Sequence, residues 1–145
     1  MSLILLGLTV SGCKKEKVKG CTISSATNYN SSAEEDDGSC TYKGSLVFWW
    51  KQAVSDSCAA HGVVNIKVYT DGTFQGTLPI STQSWASAPG CGASSTVTAS
   101  FNFGTSKTKS TNIHYDFLDG SGTTIATGNE TRTLNVDCNN YELTW

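Results

Sequence analysis

The chain has 145 residues and a formal net charge of −2, which excludes a broad basic surface for nucleic acid. Its length is sufficient for one domain with a substantial core. Six cysteines are present, but no pair has the C-x2-C spacing of a four-thiolate zinc site. In an exported chain, such cysteines indicate disulfides rather than metal ligands.

The N-terminal residues have the pattern of an export signal. An apolar stretch at 3–6 precedes residues 8–13 (LTVSGC), where small residues lead to a cysteine. This pattern resembles a bacterial lipobox, which implies a signal peptide at 1–12 and lipidation of Cys13. The apolar run is too short to span a bilayer, and residues 1–12 lack the positive charge that usually opens such a signal. The alternative is a buried first strand or helix.

Residues 13–19 form a lysine-rich segment, which we interpret as a tether between Cys13 and the folded chain. Two acyl chains on one cysteine anchor a protein stably, whereas a single chain is marginal. The lysines either keep the tether in solvent or attract anionic lipid. The expected location is the bacterial cell envelope, with the outer membrane favoured and the leaflet left open.

Residues 20–42 form a small unit bounded by Cys21 and Cys40. Its centre at 26–30 (ATNYN) and its end at 36–40 (DDGSC) strongly resemble a recurrent segment of secreted Bacteroidetes proteins. A disulfide between Cys21 and Cys40 would contribute roughly 3 kcal/mol by closing the loop. A segment this short and polar needs such a staple in order to be ordered.

The acidic end of this unit offers oxygen ligands of the kind that Ca²⁺ prefers. Asp36 and Asp37 are the weak calcium candidates. The spacing differs from the twelve-residue calcium loop, and an Asp-Asp-Gly turn explains the same residues. We therefore predict no metal and no cofactor.

Residues 43–145 alternate between apolar and polar side chains with a period of two, which is typical of half-buried strands. Asp71 and Gly72 predict a tight hairpin turn. Helical periodicity with caps is absent from the sequence. The pattern predicts an all-β fold, an antiparallel sandwich of about seven strands, immunoglobulin-like or transthyretin-like.

This region also resembles a common small lipoprotein domain of the same bacteria. The resemblance rests on residues 47–49 (VFW), 68–72 (VYTDG) and 89–92 (PGCG), together with Cys58 and Cys138. It implies the fold and the location, and it implies no activity.

Strand parity predicts the second disulfide. If strands alternate in direction, Cys58 and Cys91 lie at the same end of the sandwich and Cys138 at the other, which favours Cys58–Cys91. If residues 128–129 form a true hairpin, the parity changes and Cys91–Cys138 becomes feasible.

The sequence provides little evidence for catalysis. Cys58 and His61 could bind a metal ion together, but the same cysteine is a candidate for a disulfide, and the two roles exclude each other. His114 and Asp116 share a strand face, but no serine has the G-x-S-x-G pattern of a nucleophile elbow. We predict that the protein is not an enzyme and has no catalytic residue.

Trp49 and Trp85 are the candidates for ligand stacking, because exposed aromatic rings stack on sugars or anchor protein partners. The alternative is that both rings belong to the core. We predict a non-catalytic binding or accessory module at the cell envelope. Its expected partners are the membrane, through the lipid on Cys13, and a glycan or an envelope protein. The alternatives are a structural spacer or coat component and, more weakly, a hydrolase of envelope or extracellular glycans.

Overall fold

A computed structural model describes residues 15–81 and 84–145. The predicted signal at 1–12 and the predicted lipidation of Cys13 lie outside these residues. The structure describes most of the tether, and Lys15, Lys17 and Lys19 are all exposed.

The described residues form nine strands and one helix. Their bounds are β1 (Lys19–Gly20), β2 (Glu35–Asp36), β3 (Tyr42–Trp49), α1 (Gln52–Ala60), β4 (Val63–Thr70), β5 (Thr73–Pro79), β6 (Val97–Gly104), β7 (Thr108–Asp119), β8 (Thr124–Asn135) and β9 (Asp137–Glu142).

The seven long strands form two sheets. One has the order β6-β3-β9 and the other the order β5-β4-β7-β8. Alternate residues of each strand face the other sheet, so that Leu46 and Phe48 of β3 share one core with Ile66 and Val68 of β4. The all-β sandwich predicted from the period of two is confirmed.

The strand order excludes one of the two predicted arrangements, and one strand pairing differs from the expected antiparallel direction. The first, fourth and seventh long strands share a sheet, whereas the immunoglobulin arrangement groups the first, second, fourth and fifth. The pairing of β3 with β9 is parallel, with Gly44 opposite Asp137. The sandwich is therefore antiparallel except at this pair, and it is not immunoglobulin-like in topology.

Helix α1 was not expected from the sequence. Its buried residues are Val54 and Cys58, one turn apart, and its N-terminus has no side-chain cap. Two apolar residues at i and i+4 are a weak signal in a helix of nine residues. The indole Nε1 of Trp50 donates a hydrogen bond to Ser55 Oγ at 2.8 Å, which ties the helix to the end of β3.

The Cys-bounded unit has the predicted disulfide between Cys21 and Cys40, with Cα atoms 4.8 Å apart. Its two short strands, β1 and β2, pair in parallel. Cys21, Ala26 and Cys40 are buried in the same cluster as the core of the sandwich. The unit therefore packs onto the main domain and shares its core.

The predicted Cys58–Cys91 disulfide is wrong. Cys91 pairs with Cys138, with Cα atoms 5.6 Å apart, and Cys58 is a buried free thiol. Residues 128–129 lie inside the unbroken strand β8. The alternative hairpin at these residues is therefore absent, and the count of alternating strands stays as first predicted.

The error concerns the position of Cys91 rather than that of Cys138. Cys138 lies opposite Ser45, near the start of β3, whereas α1 follows the end of β3. The segment before β6 leaves that end of the sandwich and crosses the sheet to reach Cys138. The prediction from strand parity fails because it assumes that every loop remains at the end of the sandwich where its flanking strands end.

Candidate functional site

The outer face of the three-stranded sheet is covered around Val47 and Trp49, whereas Lys43, Ser100 and Asn102 on the same face are exposed. The segment 84–96 crosses it, joined by the Cys91–Cys138 disulfide and by a hydrogen bond from Gly92 N to Thr98 Oγ1 at 3.0 Å. Val47 and Trp49 point to this side and are nevertheless buried, at 0% and 5% exposure. The expectation of Trp49 as a stacking platform is therefore wrong, because its ring is not accessible.

Trp85 lies at the start of this covering segment and is half-buried. Its backbone N–H donates to the carbonyl of Trp50 at 2.9 Å, and Ser84 Oγ donates to Gln52 Oε1 at 2.6 Å. A shallow depression of about 450 Å³ lies between Trp85, Lys51 and Ala53. The structure thus leaves Trp85 partly accessible, and its ligand-stacking role stays a prediction.

The outer face of the four-stranded sheet is exposed along its β8 edge, where Thr127, Asn129, Thr131 and Thr133 all reach solvent. Three rings cross this face in a line on neighbouring strands. They are Phe74 of β5, Tyr69 of β4 and His114 of β7, and Tyr69 is the register partner of the other two. We call these three residues the aromatic row.

The rings of the aromatic row contact one another. The ring centroids of Tyr69 and Phe74 are 5.6 Å apart, and those of Tyr69 and His114 are 5.3 Å apart. Phe74 is 52% exposed, although aromatic side chains of this size are usually buried. The row therefore places aromatic surface in contact with solvent at the centre of this part of the sheet.

The imidazole of His114 is held on both sides. Its Nε2 lies 3.0 Å from Asp116 Oδ1, and its Nδ1 lies 2.8 Å from Asn129 Oδ1. These contacts fix the plane of the ring relative to Tyr69. His114 and Asp116 do share one face, as the sequence indicated, and here they position a ring at the surface.

The β4–β5 turn explains why Phe74 lies beside Tyr69. Asp71 and Gly72 both have positive φ angles, of 47° and 76°, as a tight hairpin turn requires. Asp71 is also fastened to β7, because its N–H donates to Asn112 O at 2.8 Å and its Oδ1 accepts from Asn112 N at 2.9 Å. The predicted turn is confirmed, and it places one end of the aromatic row on a rigid support.

Polar side chains flank the aromatic row on both sides. One flanking set consists of the register partners Thr77, Lys67, Asp116 and Thr127. On the other side, Thr131 Oγ1 donates to Asn112 Oδ1 at 2.7 Å. A depression of about 480 Å³ lies here, beside His114 and the β4–β5 turn. The face thus offers stacking surface and hydrogen-bonding groups together.

The predicted calcium candidates are engaged in a turn. Gly38 N donates to Asp36 Oδ1 at 3.0 Å, and Ser39 N donates to Asp37 Oδ1 at 2.9 Å. Hydrogen bonds from the Ser39 side chain and backbone lower the pKa of the Asp37 carboxyl. In residues 15–81 and 84–145, no group of three or more His, Cys, Asp or Glu side chains is placed to hold a metal ion.

Cys58 and His61 do not form a paired site. Burial raises the pKa of the Cys58 thiol to about 11, so the thiol is protonated at neutral pH. His61 is exposed, and its ring lies 5.2 Å from the ring of Trp145. The arrangement is that of a structural thiol inside the core and a histidine at the surface.

The sequence alone predicted only tryptophans as exposed aromatic residues and did not indicate the aromatic row. The available signal was local, since Tyr69 and Phe74 flank the turn at 71–72 out of phase with the core residues Ile66 and Val68. That His114 lies on the same face follows only from the pairing of β4 with β7, which a single sequence does not reveal.

Comparison of the chain with protein-family models, with curated proteins and with solved structures finds no match. Among the helices that the structure describes, none has the length and apolar character needed to cross a membrane.

Proposed function

We propose that this protein is a bacterial lipoprotein that acts as a non-catalytic binding module at the cell envelope, and that the outer face of its four-stranded sheet is the binding surface. The observation that carries the proposal is the aromatic row. Its rings are in mutual contact, and Phe74 is 52% exposed.

The rigidity of this face supports a binding role. The imidazole of His114 is fixed by Asp116 and Asn129, and the turn beside Phe74 is hydrogen-bonded to Asn112. A surface that is already ordered loses little conformational entropy when a ligand binds. By contrast, the chain's own segment 84–96 occupies the part of the other sheet's outer face where Val47 and Trp49 lie.

The proposed anchor is a lipid on Cys13, and it rests on residues 8–13 and on the exposed lysines that follow. Mass spectrometry of the N-terminal peptide from native membranes tests it, because the peptide is expected to begin at an acylated Cys13. In the variant Cys13→Ala, the protein should no longer partition into detergent. A mature protein that retains an unmodified Met1 contradicts the anchor.

The binding role is tested with the immobilised protein against two probes prepared from envelopes, a detergent-solubilised protein fraction and a deproteinised polysaccharide fraction. We expect retention of one fraction by the unaltered protein and loss of retention with Phe74→Ala. The control Ile125→Ala also removes an exposed apolar side chain of the same sheet, away from the row, and should bind normally. Retention of neither fraction would instead favour a spacer without a ligand.

A further inference from the structure

We propose that the ligand of the aromatic row is an uncharged glycan chain, whose sugar rings lie flat on Phe74, Tyr69 and His114. This inference rests on the proposed function, because it names the ligand class of the same face. It follows from the shape, the composition and the charge of that face.

The shape of the face suits a chain of flat rings. The three rings of the row lie on the neighbouring strands β5, β4 and β7, which span about 10 Å at the usual strand spacing of about 4.8 Å. Asn129 of β8 follows as the register partner of His114. The apolar face of a sugar ring stacks on an aromatic ring, and the row offers three rings in succession, inclined to one another by 60° between Tyr69 and Phe74 and by 46° between Tyr69 and His114. A single sugar covers only one of them, so a short oligosaccharide is the natural occupant.

The composition of the face fits a hydroxyl-rich ligand better than a protein. At the positions that the structure describes on either side of the row, the side chains are hydroxyls, amides and charged groups, and none is aliphatic. They are Thr77, Lys67, Asp116 and Thr127 on one side, with Asn112 and Thr131 on the other. Stable protein interfaces need a larger desolvated apolar centre, whereas these groups can exchange hydrogen bonds with sugar hydroxyls.

The charge of the face favours a neutral chain. Lys67 and Asp116 are direct register partners of opposite sign, so their formal charges cancel beside the row. An anionic polysaccharide would find one lysine next to an aspartate, which provides no net attraction.

The experiment is affinity electrophoresis of the full chain through gels that contain neutral polysaccharides (glucan, mannan, xylan or galactan) or the anionic polygalacturonate. Calorimetry with the matching oligosaccharides follows. We expect retardation by at least one neutral polymer and an affinity that rises from the monosaccharide to the tetrasaccharide. Phe74→Ala should raise Kd about tenfold, because it removes the most exposed ring of the row from one end of the proposed binding surface.

Two controls separate the row from the rest of the surface. Phe74→Trp keeps a stacking ring and should retain binding, and Ile125→Ala should bind as the unaltered chain does. Thermal unfolding of each variant checks that the fold persists, which is expected because Phe74 is exposed.

Each other outcome overturns the inference in a distinguishable way. Binding that Phe74→Ala leaves unchanged places the glycan elsewhere on the protein. Retardation only by polygalacturonate contradicts an uncharged ligand. Row-dependent retention of the envelope protein fraction without any polysaccharide binding overturns the glycan but preserves the binding module. Retention of neither probe overturns both proposals.

Discussion

The side chain of Cys58 has a packing role in the core. Its thiol is fully buried, it lies in α1 one turn after Val54, and desolvation disfavours its thiolate. A reactive cysteine needs an exposed and electropositive setting. Cys58 has neither of these conditions, so its role is packing.

Burial of Cys58 predicts how stability changes at alkaline pH. The ordinary thiol pKa is 9.0 and the folded value is about 11, so between these values the unfolded chain has lost a proton that the folded chain retains. The free energy of unfolding should therefore fall as pH rises through this window. Denaturant titrations should show a shallower fall for Cys58→Ala than for the unaltered chain. Equal slopes contradict the shifted pKa.

Gly128 allows Tyr115 to pack against β8. The two residues are register partners, and a Cβ at position 128 would overlap the Tyr115 ring. That ring is confined by Phe117 and Tyr141, at centroid distances of 5.6 and 6.0 Å. We expect Gly128→Ala to destabilise the fold by about 1–3 kcal/mol, measured by denaturant unfolding.

Gly120 provides the matched control for that substitution. A Cβ at Gly120 meets nothing within 4 Å, so Gly120→Ala should change stability by less than about 0.5 kcal/mol. If both variants lose the same amount, the overlap with Tyr115 does not explain the requirement for glycine.

At the scale of elements, the segment 84–96 behaves as a cover held by one covalent bond. We expect the double variant Cys91→Ser/Cys138→Ser to lose roughly 2–4 kcal/mol, because the bond closes a loop of intermediate length. Acrylamide quenching of tryptophan fluorescence should rise, and it should rise much less when Trp49→Phe is also present. A quenching increase that persists without Trp49 shows that the segment does not protect this ring.

The strands were predictable from the sequence because the alternation of apolar and polar residues within each strand reflects which side chains are buried. The alternation around Leu46 and Ile66 gave both strands, and the Asp71-Gly72 pair gave the turn between β4 and β5. Helix α1 was not predictable, because two buried residues in nine carry little periodicity. The Cys91–Cys138 disulfide was not predicted because the local sequence of a loop does not show that the loop crosses a sheet. The aromatic row needed the register of β4 with β7, which is a long-range property.

On the scale of the whole molecule, the two outer faces of the sandwich differ. One is covered in part by the segment 84–96, over Val47 and Trp49, and the other displays Phe74, Tyr69 and His114. Polar contacts of Tyr141 bridge the edge strands β8 and β9 of the two sheets. Tyr141 Oη donates to Glu130 Oε2 at 2.9 Å, and the Arg132 guanidinium lies over the Tyr141 ring. Charged side chains on an edge strand discourage pairing with another chain.

The shared core predicts that the Cys-bounded unit stabilises the whole domain. Cys21, Ala26 and Cys40 are buried in the cluster that continues into the sandwich. Removal of residues 1–40 should therefore lower the free energy of unfolding by about 1–3 kcal/mol through lost apolar burial. Removal of residues 1–14 provides the control and should leave the midpoint unchanged. Equal midpoints for the two truncations would make the unit an independent appendage.

The parallel pair of β3 and β9 has a consequence for how the chain folds. Gly44 of β3 pairs with Asp137 of β9. The three-stranded sheet therefore cannot be completed until nearly all of the chain is available. Contacts this distant in sequence make the search for the native topology slow. A chain that emerges from a narrow pore N-terminus first would thus remain incomplete until its last strand arrives. Such an order of events keeps the three-stranded sheet open for as long as the chain is being threaded.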